Sequence, residues 1–270
     1  MRLIRFVDNN GKIISGKELD GSSAEKLSGP IGAGLPDLTG ERVEVGRLLA
    51  PLDPSNLICI GKNYADHAAE MDSAAPPRPI IFMKPTGALN HPDGPIRLPA
   101  CCHGPEVDYE GELAVVIAKP GRDIARADAL SHVLGYTIAN DVSARWWQKQ
   151  GSGGQWVRGK GFDSFCPLGP ALVTPDEIPD PQNLTLTTTL NGEVVQNGHT
   201  RDMIFPVDEL ISFLSQDTTL QPGTVILTGT PAGVGAGRKP PVFLKPGDVV
   251  TIEIENIGKL TNHVVAADDE

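Results

Sequence analysis

Short apolar runs set off by Gly- and Pro-bearing turns recur along this chain, so strands are its main expected element. Leu3-Ile4-Arg5-Phe6-Val7 and Lys12-Ile13-Ile14 flank Asp8-Asn9-Asn10-Gly11, a hairpin pattern over residues 2 to 15. The pattern weakens into Gly, Ser, Leu and Pro up to Leu52. Residues 1–52 are therefore expected to form a small N-terminal cap domain ahead of a main domain at 53–270. Leu57–Gly61 and Pro79–Lys84 read as buried strands. A stripe of Ala127, Leu130 and Leu134 suggests a helix over 123–134, with a strand following from Gly135 to Asp141. Residues 163–181 read as Pro-rich loop and short strand. Leu184–Leu190, Asn191-Gly192 and Glu193–Val195 carry a strong hairpin signal. Met203–Leu214 is amphipathic, with Ile204, Val207, Leu210, Ile211 and Leu214 on one stripe, and Pro-Gly turns at 222–223 and 246–247 feed further strands.

The stretch Glu106–Ala118 puts acids into an otherwise apolar strand. Alternation sets Glu110, Glu112, Ala114 and Val116 on one face and Leu113, Val115 and Ile117 on the other. Two ionised carboxylates beside a core are costly to desolvate and repel each other unless a cation lies between them. A divalent metal answers both costs. The wet face of an edge strand is the alternative, and the pattern leaves both open.

At 270 residues, with 40% hydrophobic and 21% charged positions, the chain has the composition of an ordinary globular protein. Its 34 acidic and 23 basic residues give a net charge of −11, which repels nucleic-acid phosphates and anionic membranes alike; neither is an expected partner. That field makes a bound cation more attractive if the substrate is an anion. The four cysteines form neither a disulfide framework nor a zinc pattern. With no apolar signal core and no membrane-length apolar run, the default expectation is a cytoplasmic protein.

Several polar residues then stand out. Asn63 is placed to cap a short helix on which His67 and Glu70, three apart, share a face; Glu70 would orient the imidazole as a base, although a solvated surface pair is the commoner arrangement. The Pro-rich segment 73–79 would let that helix hinge as a lid. Lys84 ends an apolar run, where it would snorkel or meet an anion. Asp141 ends its strand where it could cap the helix starting at Val142, act as a ligand, or do both. Arg145 and Gln148 share a helix face, and Lys160 sits between two glycines. The loop Thr228–Gly237 lacks the Lys-Ser/Thr of a phosphate loop, so its amides and Thr230 are better suited to cupping a carboxylate.

Taken in order, Gly-Lys-Asn-Tyr-Ala-Asp-His67-Ala-Ala-Glu70, Phe-Met-Lys84-Pro, Asp-Tyr-Glu110-Gly-Glu112, Asn-Asp141-Val-Ser-Ala-Arg145, Lys160-Gly-Phe-Asp and Leu-Thr-Gly-Thr230-Pro resemble the fumarylacetoacetate hydrolase family. The resemblance covers roughly residues 55 to 265. It implies an α+β, β-rich fold, a mixed β-roll or β-sandwich with a small N-terminal domain, usually a homodimer. It also implies Mg2+, or Mn2+ or Ca2+, on Glu110, Glu112 and Asp141, with no fourth upstream aspartate aligned. His67 and Glu70 would activate water, Lys160 would stabilise an enolate, and Lys84, Arg145, Gln148 and Thr230 would line the substrate pocket. The implied substrate is a small anionic 2-oxo acid. The expected reaction is metal-dependent C–C hydrolysis of a 2,4-diketo acid, with isomerase, tautomerase or oxaloacetate decarboxylase chemistry as the alternative and a noncatalytic metabolite-binding relative as another.

Overall fold

The computed structural model describes residues 1–32 and 34–268. β1 (Arg2–Val7) and β2 (Ile13–Glu18) form the expected hairpin. β3 (Ser23–Leu27) and β4 (Leu38–Glu44) extend it, and β5 (Arg47–Leu49) returns to pair with β1. The chain then runs through β6 (Asn56–Gly61), α1 (Ala65–Glu70) and β7 (Ile80–Lys84). The short β8 (Leu89–Asn90), β9 (Ile96–Arg97) and β10 (Val107–Asp108) lead into β11 (Gly111–Ile117). β12 (Val133–Asn140), β13 (Ser143–Ala144), α2 (Arg145–Lys149), α3 (Val157–Lys160) and β14 (Cys166–Val173) follow. The last third holds β15 (Thr185–Leu190), β16 (Glu193–His199), α4 (Val207–Leu214), β17 (Thr224–Leu227), β18 (Val249–Ile254) and β19 (Gly258–Val265).

Among the described residues, ten strands run side by side in the order β4-β3-β2-β1-β14-β12-β11-β17-β6-β7, with β5 and β8 attached to the same sheet. The N-terminal strands thus join the main sheet through β1 against β14, with Arg2 opposite Val173. A second sheet, β16-β15-β18-β19-β9, packs across β11, β12 and β14. The fold is β-rich and mixed, as the resemblance implies.

β11 is a central strand, hydrogen-bonded to β12 on one side and β17 on the other, and every residue in it is buried. This rules out the wet edge for Glu110 and Glu112. Its odd positions face the second sheet: a Cβ on Gly111 would lie 2.4 Å from Thr188 Oγ1 on β15 and 3.1 Å from Ile252 Cγ2 on β18. Leu113, Val115 and Ile117 fill that interface, each burial contributing about 1.5–3 kcal/mol. The even face, with Glu112, is left for the site.

Three expectations need correction. The 126–132 segment is a 3₁₀ helix with three residues per turn, so Ala129 is buried while Ala127 and Leu130 are exposed. β14 is a full eight-residue strand despite its prolines. An irregular register against Tyr136 and Ile138 absorbs Pro170, which has no N–H to give. α4 starts only at Val207, because Pro206 sets its N-terminal boundary, and it buries Val207, Leu210, Ile211 and Leu214.

Candidate active site and metal centre

The β11–β12 register assembles the acidic cluster. Gly111 pairs with Asn140, so the residues just beyond, Glu110 and Asp141, meet, and Asp141 N–H donates to Glu110 O at 2.9 Å. Glu112 follows on the same face of β11. Ligand oxygens of Glu110, Glu112 and Asp141 all lie within 4.8 Å of one another, and all three residues are buried. The Asp141 carboxylate is no helix cap: α2 begins at Arg145, and its Trp146 N–H donates instead to Glu106 Oε2 at 2.7 Å.

Buried cations surround two of these acids. Lys160 Nζ donates to Glu110 Oε2 (2.9 Å), Asp141 Oδ2 (2.6 Å) and Ser143 Oγ (2.7 Å). Lys84 Nζ lies 2.6 Å from Asp141 Oδ1 and also bonds the carbonyls of Val142 and Lys160. Arg145 reaches Glu110 Oε1 through Nη1 at 2.7 Å and Asp108 Oδ2 through Nε (2.9 Å) and Nη2 (2.7 Å). Burial disfavours ionised Glu110, but Lys160, Arg145 and His67 outweigh it and hold that carboxyl well below the usual range. Glu112 has no ion pair among the described residues; Gly229 N–H donates to its Oε2 at 2.7 Å. Burial, then the charges of Asp141 and Glu110, push its carboxyl well above the usual range. A cluster of hard oxygens with one uncompensated carboxylate fits a hard divalent ion such as Mg2+ or Mn2+.

His67 and Glu70 face each other on α1, Nδ1 to Oε1 at 2.7 Å, and this is no solvated pair: His67 is only 6% exposed. Gly233 N–H donates to the other Glu70 oxygen at 2.8 Å, tying α1 to the Gly-rich loop. Asn63 does not cap α1, which starts after Tyr64 without a side-chain cap. Its amide instead bonds the Phe205 N–H and the Phe205 and Thr228 carbonyls, fixing the entry to the helix.

A cavity of about 180 Å3 opens between these elements. His67, Glu110, Glu112, Arg145, Gln148, Lys160 and Thr230 line it. Lys84 does not: it is 2% exposed and braces Asp141 from behind rather than meeting a substrate. Thr230 is committed to structure, donating to Gly111 O (2.9 Å) and accepting from Gln196 Nε2 (2.7 Å). Gln148 accepts from Arg145 at 3.0 Å, which leaves its amide N–H groups for a ligand.

The Gly-rich loop does cup carboxylates, but the protein's own: Glu112 through Gly229, Glu70 through Gly233, and Asp108 through the N–H groups of Gly235 (2.8 Å) and Ala236 (2.9 Å). Asp108, fully buried, was missed as a site residue, as was Ser143. The signal for Asp108 lay in the same alternation that singles out Glu110 and Glu112, since all three are even positions of one stretch.

Residues 56–265 match the family model for the fumarylacetoacetate (FAA) hydrolase C-terminal domain. The chain is 53% identical over 219 residues to the mitochondrial oxaloacetate tautomerase fahd2 of Xenopus laevis, covering 81% of this chain and 68% of the relative. The 5-carboxymethyl-2-hydroxymuconate delta-isomerase structure from Mycobacterium smegmatis superposes with a TM-score of 0.85 at 43% identity, over 98% of this chain and all of that one. The fumarylacetoacetate hydrolase structure from Exiguobacterium antarcticum gives 0.87 at 41%, over 98% and 99%.

The expected cytoplasmic location does not survive this comparison, because the Xenopus relative is designated mitochondrial. Absence of an apolar signal core does not discriminate here, since mitochondrial transit segments are amphipathic and Arg-rich. The family match and the similar relatives and structures place the chain: it is an enzyme belonging to the fumarylacetoacetate hydrolase family.

Proposed function

We propose that this enzyme interconverts the enol and keto forms of a small 2-oxo acid of the oxaloacetate type, rather than hydrolysing a C–C bond as the sequence suggested. The observation that carries this reading is the buried His67, held by Glu70 at 2.7 Å, on the wall of the same cavity as Glu110 and Glu112. The tautomerase designation of the Xenopus relative and the isomerase designation of the M. smegmatis structure support it.

Tautomerisation moves one proton between C3 and the 2-oxygen and breaks no carbon–carbon bond. Glu70 holds Nδ1 of His67, which leaves Nε2 as the nitrogen that takes or returns the C3 proton, with the Glu70 carboxylate stabilising the charged ring. Gln148 offers its amide N–H groups to a substrate oxygen. Lys160 donates to both Glu110 and Asp141 and fixes them in place. A divalent ion on Glu110, Glu112 and Asp141 supplies Lewis-acid polarisation of the 2-oxo group when bound.

The same reading includes a homodimer. Ile81 and Met83 lie exposed on the edge strand β7, and the exposed Val157 belongs to α3, which packs on β7; a second copy would cover this patch. Light scattering after gel filtration measures the mass directly.

The deciding experiment follows the ultraviolet decay of enol oxaloacetate with Mg2+ or with chelator, and identifies products by NMR. Faster Mg2+-dependent enol loss without pyruvate is the expected result. Pyruvate and carbon dioxide would indicate the decarboxylase, and cleavage of an acylpyruvate would restore the hydrolase. Decay no faster than the spontaneous rate on oxaloacetate rejects the proposal.

A further inference from the structure

Two lysines on the cavity wall have no part in the machinery above. Lys62 joins β6 to α1, and Lys149 ends α2; both line the cavity shared by His67, Glu110 and Glu112. The other cations there are committed. Lys160 directs its ammonium at Glu110, Asp141 and Ser143, and Arg145 engages Asp108, Glu110 and Gln148 with most of its donors. By contrast, neither Lys62 nor Lys149 has a carboxylate partner among the described residues. Lys62 Nζ donates to the Ser73 hydroxyl at 2.7 Å, just beyond α1.

The backbone sets Lys62 apart as well. Its φ of +55° is a left-handed conformation uncommon for lysine. Trp156 packs directly on the preceding residue, where a Cβ on Gly61 would lie 2.3 Å from its ring, and meets Phe82 edge-on at 5.3 Å. Both rings line the same cavity as the lysines, and an apolar wall strengthens charge pairing made inside it. Burial, then the charges of Arg145 and Lys62, holds the Lys149 ammonium below its ordinary pKa even with Asp108 and Asp72 nearby. Lys62 and Lys149 thus bring two ammonium groups without an ion-paired carboxylate among the described residues to the cavity of a chain whose net charge is −11.

We propose that Lys62 and Lys149 form an anion subsite for the far carboxylate of the substrate, making the enzyme selective for small 2-oxo dicarboxylates over 2-oxo acids with a neutral tail. This rests on the 2-oxo acid reading above. The carboxylate and 2-oxo end of the substrate belongs at the acidic centre, so a second carboxylate needs cations of its own to enter against the overall field. The two lysines stand on the same cavity wall and are free to supply them.

Lys62→Met and Lys149→Met keep an unbranched stem and remove the charge. KM and kcat are measured for oxaloacetate and its 4-methyl ester, and calorimetry on Mg2+-loaded protein gives affinities for oxaloacetate and for pyruvate, which lacks the far carboxylate. Each substitution is expected to raise the oxaloacetate KM and Kd about tenfold more than those of the ester and of pyruvate, the size of one charge contact. Lys149→Arg should restore most of the discrimination. Equal losses on both ligands, no loss, or wild-type preference for the ester would overturn the subsite. Calorimetric discrimination without turnover would uphold the subsite while rejecting the tautomerase.

Discussion

Asp108 takes both Nε and Nη2 of Arg145 on one oxygen, at 2.9 and 2.7 Å, while its two oxygens receive the N–H groups of Gly235 and Ala236. One buried carboxylate therefore ties the pocket arginine to the Gly-rich loop, and through that arginine to Glu110. Replacing it by asparagine turns part of this acceptor into a donor facing donors and leaves Arg145 short of a counter-charge. Asp108→Asn is expected to lose about 3 kcal/mol of stability in urea unfolding, with kcat/KM falling as Arg145 and Glu110 shift. Unchanged stability would mean that Glu110 alone suffices for Arg145.

Glu112 should respond in the opposite sense. Its burial beside Asp141 and Glu110 makes its charge a cost in the metal-free protein, and among the described residues it has no ion pair to lose. Glu112→Gln keeps the shape, so the metal-free variant should unfold at an equal or higher urea concentration, gaining on the order of 1 kcal/mol. Mg2+ affinity, followed by calorimetry, should fall at least about a hundredfold, beyond what loss of a supporting residue causes. Unaltered Mg2+ binding would remove Glu112 from the ligand set.

The cysteines offer a chemical check on the surface beside α2. Cys101 is exposed, whereas burial and a hydrogen bond to Glu106 push the Cys102 thiol up to about 12. At about pH 8 its thiolate fraction is then on the order of one in ten thousand, and thiolate is the reacting form. Cys59 and Cys166 are buried. Iodoacetamide followed by peptide mass mapping should modify Cys101 first, with Cys102 following as pH rises towards 12. Prompt labelling of Cys102 near neutrality would contradict the Glu106 contact.

The acidic cluster was legible because a strand's period of two survives any tertiary context: once Glu110 and Glu112 share a face, only the edge-strand reading competes, and the neighbours β12 and β17 remove it. The hairpin around Asn191-Gly192 was legible for the same local reason, since those two residues tolerate the turn. Residues whose roles depend on distant partners were not. Asn63 looked like a cap and is a tie to Phe205 and Thr228; Lys84 looked like a pocket residue and backs Asp141. β14 was hidden by prolines that only its neighbours in the sheet accommodate.

Gly111 is where fold and site meet most tightly. It separates the two glutamates in sequence, and its missing side chain lets β11 lie against Thr188 and Ile252 of the second sheet. A methyl group there has no flexible neighbour to displace, because a Thr188 hydroxyl at 2.4 Å and an Ile252 methyl at 3.1 Å both belong to buried residues. The strand must therefore move away from the second sheet, carrying Glu110 and Glu112 with it. Overpacking of this kind costs about 1–3 kcal/mol, so Gly111→Ala should unfold at lower temperature. Because the same shift separates the carboxylates from Asp141, Mg2+ affinity should drop in parallel, although no ligand has been changed. Pairing Gly111→Ala with Thr188→Ser, which removes a methyl from the obstructing side chain but keeps the hydroxyl, should recover little; Thr188→Ala removes that hydroxyl and should recover more of both stability and Mg2+ binding. Equal recovery by the two would place the clash at Ile252 instead.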